Sequence, residues 1–178
     1  MNLDQLNALP AEQARAELLG CCGSTRWAER MSMQRPFADI DAMYAIADSV
    51  WRSLDRDDWL EAFAAHPKIG RRDSKPVPGV AAASSAGWAE NEQAGTRDAG
   101  DTVLDALAEA NREYENKFGF IYIVCATGKS GTQMLSLCRE RLQNDLDAEL
   151  RVAADEQAKI TRLRLDKLLG VEATGGKA

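Results

Sequence analysis

The sequence predicts an all-α fold, a single-domain helical bundle, and three observations carry that prediction. Apolar residues recur at three- to four-residue spacing along most of the 178 residues. Capping residues precede several of these stripes and glycines follow them. A chain of this length falls in the range of one domain with one core. Two features interrupt the bundle: a long loop after the helix that ends at His66, and one extended apolar segment further on. The expected domain spans residues 1–172, with 173–178 as a flexible tail ending Gly175-Gly176-Lys177-Ala178.

Taken in chain order, short helices are expected over Pro10 to Leu19, Thr25 to Met33 and Asp57 to Ala65. The strongest period lies between the second and third of these, in Ile40, Met43, Ala47, Val50, Trp51 and Leu54, with Asp39 placed to cap the first turn. The stretch Pro67 to Ser85 contains Pro67, Pro76, Pro78, Gly70 and Gly79 and cannot be a continuous helix. Loops of that length in a compact domain are often functional. Val103, Leu107, Ala110, Tyr114 and Phe118 form the next stripe, ended by Gly119. Phe120 to Cys125 is an apolar, β-branched run with no partner strand, so an extended segment threading between helices is expected. Met134, Leu135, Cys138 and Leu142 mark another helix. The last long one runs from about Asp147 to Leu169, with Leu150, Ala154, Ala158 and Leu165 inward and Gly170 as its stop.

Composition narrows the chemistry. Lys and Arg number 22 against 28 Asp and Glu, a net charge of −6, and no long run of either sign appears, which argues against nucleic acid as a partner. Met1 to Gln5 has no basic stretch leading into an apolar run, and no segment approaches ~18 consecutive apolar residues, so a cytoplasmic protein without a membrane partner is expected. Cys21, Cys22, Cys125 and Cys138 include a vicinal pair but no C-x-x-C spacing, which points to reduced, mostly buried thiols. With a single histidine, a His-rich metal site is excluded.

The remaining chemistry must come from one imidazole, carboxylates, arginines and backbone. His66 precedes Pro67 where a helix has to stop, facing the long loop. There it can close the helix end, where the dipole favours the cation, or serve as an acid or base near neutral pH. Glu92 and Gln93, across the loop, are ordinary surface residues in isolation, but a folded-back loop would let Glu92 orient His66 and raise its proton affinity. Ala126-Thr127-Gly128-Lys129-Ser130 looks like the end of a phosphate loop, yet Ile123 stands where that loop needs glycine, so Ser130 reads as a helix cap. Arg162 and Arg164 lie two residues apart on the last helix and point in different directions, so one can enter a pocket while the other stays outside.

The ordered set of these segments resembles the 2-oxo-4-hydroxy-4-carboxy-5-ureidoimidazoline (OHCU) decarboxylase family, which completes the conversion of urate to allantoin. The resemblance is carried by Cys22 to Ala28, Arg35-Pro36-Phe37, His66 to Gly70, Glu92 to Gly95, Asn111, Tyr114, Lys117 to Phe120, Val124 to Ser130, Arg141-Leu142 and Arg164-Leu165. It implies an all-helical homodimer without metal or organic cofactor, acting on a small ureidoimidazoline and yielding (S)-allantoin. It also implies His66 and Glu92 as catalytic residues. Pro67, Gln93 and Arg164 would contact substrate, and the backbone from Tyr122 through Ile123, Val124 and Cys125 to Ala126 would meet the planar ring. Many relatives have serine three residues before the Glu-Gln pair, where this chain has Ala89; a displaced local alignment would make Glu90 the carboxylate. The competing reading is a non-catalytic helical interaction module. The two differ in geometry: His66, Glu92 and Arg164 converge on one pocket only in the enzyme.

Overall fold

The computed structural model describes residues 1–69 and 100–171. Glu92, Gln93, Ala89 and Glu90, most of the expected loop and the tail from residue 173 lie outside the described residues. Within them the chain is helical, with eight helices and no strand: α1 Leu3–Ala8, α2 Ala11–Cys22, α3 Thr25–Met33, α4 Ile40–Arg52, α5 Arg56–Ala64, α6 Asp101–Phe118, α7 Gly131–Arg141 and α8 Leu146–Leu169.

Local chemistry sets the boundaries. The side chains of Ser24, Asp39, Asp55, Ser130 and Asp145 each accept a backbone N–H in the first turn of the helix they precede, satisfying donors that have no intrahelical partner. Ser130 is thus a cap, as expected, its hydroxyl accepting from Gln133 N–H while the Gln133 side chain accepts from Ser130 N–H. Gly23, Gly119 and Gly170 end α2, α6 and α8 in the left-handed conformation.

Sequence periodicity does not announce α1, whose six residues are too few to show a stripe. It is held by side chains from elsewhere. Arg35 donates to the carbonyls of Leu6 at 2.7 Å and Leu9 at 2.8 Å, closing the helix end. Asn7 exchanges two hydrogen bonds with the Phe37 backbone, at 2.8 and 2.9 Å. The Arg35-Pro36-Phe37 segment therefore anchors the N-terminus of the bundle.

The longest helix, α8, organises the rest. It packs on α2, α4 and α5, and its inward face runs through Leu150, Ala153, Gln157, Ile160, Arg164 and Leu168. Ala158, expected on that face, is only half-buried. Trp51 of α4 donates its indole N–H to the Ala154 carbonyl at 2.9 Å, while α6 and α7 pair with each other. Between those two helices runs the expected extended segment, residues 120–126, without helix or sheet pairing. Phe120 stacks obliquely on Phe63 of α5 at 5.4 Å and meets Tyr114 of α6 edge-on at 5.7 Å, so aromatic packing stitches the segment to the bundle.

Candidate active site

The end of α5, the extended segment and the middle of α8 enclose one pocket, lined by His66, Pro67, Ile69, Tyr122 to Thr127, Ile160 and Leu163. Three separate elements are needed to build it. Each is held by groups that do not face the pocket.

His66 follows α5 and is tied to it by its own N–H, which donates to the Phe63 carbonyl at 3.1 Å. The chain leaving it is held by α6: Asn111 donates to the Ile69 carbonyl at 2.9 Å, and Lys68 pairs with Glu115 at 2.6 Å. The half-buried ring lies between two groups of α8. Its Nε2 is 2.7 Å from Oε1 of Gln157, and its Nδ1 is 3.5 Å from a guanidinium nitrogen of Arg164. Burial, and after it the Arg164 charge, lowers the imidazole pKa to about 3, against the opposing effect of Gln157. The ring is therefore uncharged at neutral pH, the reverse of what a position past a helix C-terminus favours.

Arg164 is 4% exposed, whereas Arg162 is exposed and covers the Tyr44 ring at 3.9 Å. One of the pair faces inward and the other outward, as their spacing requires. Arg164 is a buried cation beside the pocket, suited to an anionic ligand.

The extended segment is fixed from behind by a buried ionic cluster. Arg141 donates to the Ile123 carbonyl at 2.8 Å and pairs with Glu149, which is fully buried. Glu149 also accepts from the Tyr114 hydroxyl and, at 2.7 Å, from Asn144. The Arg141 guanidinium lies 4.8 Å from the centre of the Tyr122 ring. On the other side of the segment Glu156 accepts the Cys125 N–H at 2.7 Å, and Lys129 donates to the Cys125 carbonyl at 2.7 Å. Burial favours the neutral form of Glu156, but Lys159 and the Cys125 N–H outweigh it and hold the carboxyl below the usual carboxylate range. Among the described residues no partner is taken by the N–H and C=O of Val124 or by the N–H of Ala126.

Of the residues singled out in the sequence, His66, Pro67, Tyr122, Ile123, Val124, Cys125 and Ala126 line this one pocket, and Arg164 reaches it through His66. Glu92 and Gln93 lie outside the described residues. Sequence reasoning missed Gln157 and the tethers Arg141, Glu149 and Glu156. A signal for Gln157 exists: it stands four residues before Thr161 and seven before Arg164, a polar residue on the helix face that is otherwise inward. The four cysteines are buried and none forms a disulfide, and burial lifts the Cys22 thiol to about 12.

The chain is similar to known proteins along most of its length. The family model described as OHCU decarboxylase matches residues 7–166. The uric acid degradation bifunctional protein TTL of Arabidopsis thaliana is 40% identical over 153 residues, covering 86% of this chain and 46% of that protein. The chain thus spans about half the length of this bifunctional relative. The 2-oxo-4-hydroxy-4-carboxy-5-ureidoimidazoline decarboxylase of Amia calva is 32% identical, covering 80% of this chain and 79% of its own length. A crystal structure of OHCU decarboxylase in the presence of (S)-allantoin superposes with a TM-score of 0.72 at 38% identity, covering 87% of this chain and 98% of that one.

Proposed function

We propose, from the premise that the chain belongs to the OHCU decarboxylase family, that it decarboxylates 2-oxo-4-hydroxy-4-carboxy-5-ureidoimidazoline to (S)-allantoin in urate degradation, without a cofactor. The observation that carries this reading is the meeting of His66 and Arg164 beside the extended segment, an uncharged imidazole and a buried cation at one pocket.

The chemistry suits that pair. The substrate is an anion whose carboxylate sits on a carbon that also bears a hydroxyl and adjoins an imidazoline ring. When the bond to carbon dioxide breaks, the electron pair enters the conjugated ring as an enolate-like species, so the substrate is its own electron sink, and a proton from solvent delivered to one face of that species completes (S)-allantoin. In this reading Arg164 draws in and orients the anion. His66 hydrogen-bonds the hydroxyl and helps turn the carboxylate out of the ring plane, where bond breaking overlaps with the π system. The N–H groups of Val124 and Ala126 face the charge that develops on the ring. Pro67, Tyr122, Ile123 and Cys125 form walls that exclude water. Glu92, or Glu90 if the local register is displaced, supports His66, and Gln93 contacts the ureido end.

The same reading makes the protein a cytoplasmic homodimer. Its buried thiols, none of them in a disulfide, suit a reducing compartment, and among the described residues no helix is long and apolar enough to cross a membrane. Sedimentation analysis tests the dimer.

Circular dichroism tests the activity. OHCU generated from urate by the two preceding enzymes decays spontaneously to racemic allantoin, which has no net signal. With this protein the signal is expected to grow rapidly to one sign and to vanish in His66→Ala. A silent product at the spontaneous rate overturns the proposal.

A further inference from the structure

His66 can be neutral in two tautomers, and only one of them fits its surroundings. Gln157 is fully buried, and its amide nitrogen lies 3.3 Å from the Cys22 carbonyl and 3.2 Å from the Thr161 hydroxyl. A carbonyl oxygen only accepts, so the amide nitrogen must face Cys22 and Oε1 must face His66. Turning the amide over would set two acceptor oxygens against each other in a site closed to water and would forfeit the bond to Cys22. Gln157 therefore presents His66 with an acceptor, and Nε2, at 2.7 Å, must carry the proton. The other side of the ring gives the same answer independently. Arginine has only donors, so the Nδ1 that Arg164 approaches at 3.5 Å must hold its lone pair toward the guanidinium.

We propose that Gln157, anchored by the Cys22 carbonyl and Thr161, is a positioning residue that fixes His66 as the Nε2–H tautomer, leaving Nδ1 as the one acceptor of the ring, where a ligand hydroxyl would take the place of the long 3.5 Å contact from Arg164. The proposal deepens the decarboxylase reading and rests on it for the ligand's identity, but the tautomer is a property of the free protein. In substrate-bound enzyme the ring acts as a hydrogen-bond acceptor from the hydroxyl, and no proton leaves the imidazole. The low proton affinity of the ring agrees with this arrangement: a second proton, on Nδ1, would point at the Arg164 charge.

Because the chain has one histidine, nitrogen NMR of the uniformly ¹⁵N-labelled full-length protein reads this ring alone. At pH 7 the long-range proton–nitrogen spectrum is expected to show a protonated Nε2 and a bare Nδ1. In Gln157→Met, which keeps the volume and removes the amide, Nε2–H loses its acceptor while Arg164 still faces Nδ1, so both nitrogens should shift part of the way toward averaged values. With OHCU, kcat should fall tenfold or more while KM stays within about twofold, as expected when binding survives and orientation is lost. Gln157→Glu restores an acceptor, so Nε2 should stay protonated, and the added charge should raise the pH at which the ring takes a second proton. A wild-type ring that is protonated on Nδ1, or on both nitrogens, overturns the proposal whether or not the variants fold, as does an unchanged spectrum in Gln157→Met. Failure of the wild-type protein to produce optically active allantoin while the ring is Nε2–H would instead remove the decarboxylase reading and leave the tautomer assignment standing.

Discussion

An uncharged His66 has consequences that pH can read. Its pKa falls from 6.5 to about 3 on folding, through burial and then Arg164, so between those values the unfolded chain binds a proton that the folded one refuses. The stability the neutral ring contributes is complete above about pH 6.5 and is lost as pH falls toward 3, by at most about 1.4 kcal/mol per pH unit. Urea unfolding from pH 7 to 4 should show this slope in the wild-type protein and a shallower one in His66→Ala; parallel slopes would mean that the ring titrates normally. Arg164→Ala should raise KM for OHCU with a smaller change in kcat, and an unchanged KM would remove it from the binding site. At this scale the sequence was informative where spacing or uniqueness spoke: one histidine before a proline, and two arginines that had to face opposite ways. For Gln157 the only signal was a polar residue on an inward helix face, because its partners Cys22 and Thr161, on α2 and α8, come together only in the fold. Glu92 lies outside the described residues, and its part in the site rests on the family resemblance.

The extended segment 120–126 is the element on which pocket geometry most depends. Its composition would suit a buried strand, yet it has no sheet to join, and its backbone is satisfied by long side chains from α7 and α8: Arg141 on the Ile123 carbonyl and Glu156 on the Cys125 N–H. Periodicity could locate the helices on either side but could not supply these partners, which come from 18 and 31 residues away in sequence. The Ile123 carbonyl and the Cys125 N–H are therefore taken by protein side chains. Arg141 is a buried cation whose charge is balanced by Glu149. Removing that balance strands the cation, so Glu149→Leu should destabilise the protein by about 3–5 kcal/mol in urea unfolding. Replacing both, Arg141→Met with Glu149→Leu, should recover much of the stability, since apolar side chains of similar size can replace a buried pair. Activity should not recover with it, because the Ile123 carbonyl loses its tether. A double variant with wild-type kcat would show that the cluster supports folding alone.

Across the whole molecule, the pocket requires that α2, α5 and α8 meet at fixed distances, and one tight approach among them is made by a glycine. Gly23, which ends α2 with φ +86°, lies against the last turn of α5: a Cβ there would come within 2.6 Å of Ala65 Cβ and 3.3 Å of the Ala62 carbonyl. Helix content and the order of helices were legible in the sequence because stripes, caps and terminal glycines are local signals. This contact joins positions 42 residues apart and was not legible, although Gly23 stands among the residues that carry the family resemblance. Gly23→Ala should act in two ways. The left-handed backbone costs an alanine about 1–2 kcal/mol, and the Cβ pushes on the residue immediately before His66. Stability and kcat should therefore fall together. In Gly23→Ala with Ala65→Gly the clash is removed while the backbone strain remains, so kcat should return further toward wild type than the urea midpoint does. If the two recover in proportion, or neither moves in the single variant, the approach of α2 to α5 does not set the position of His66.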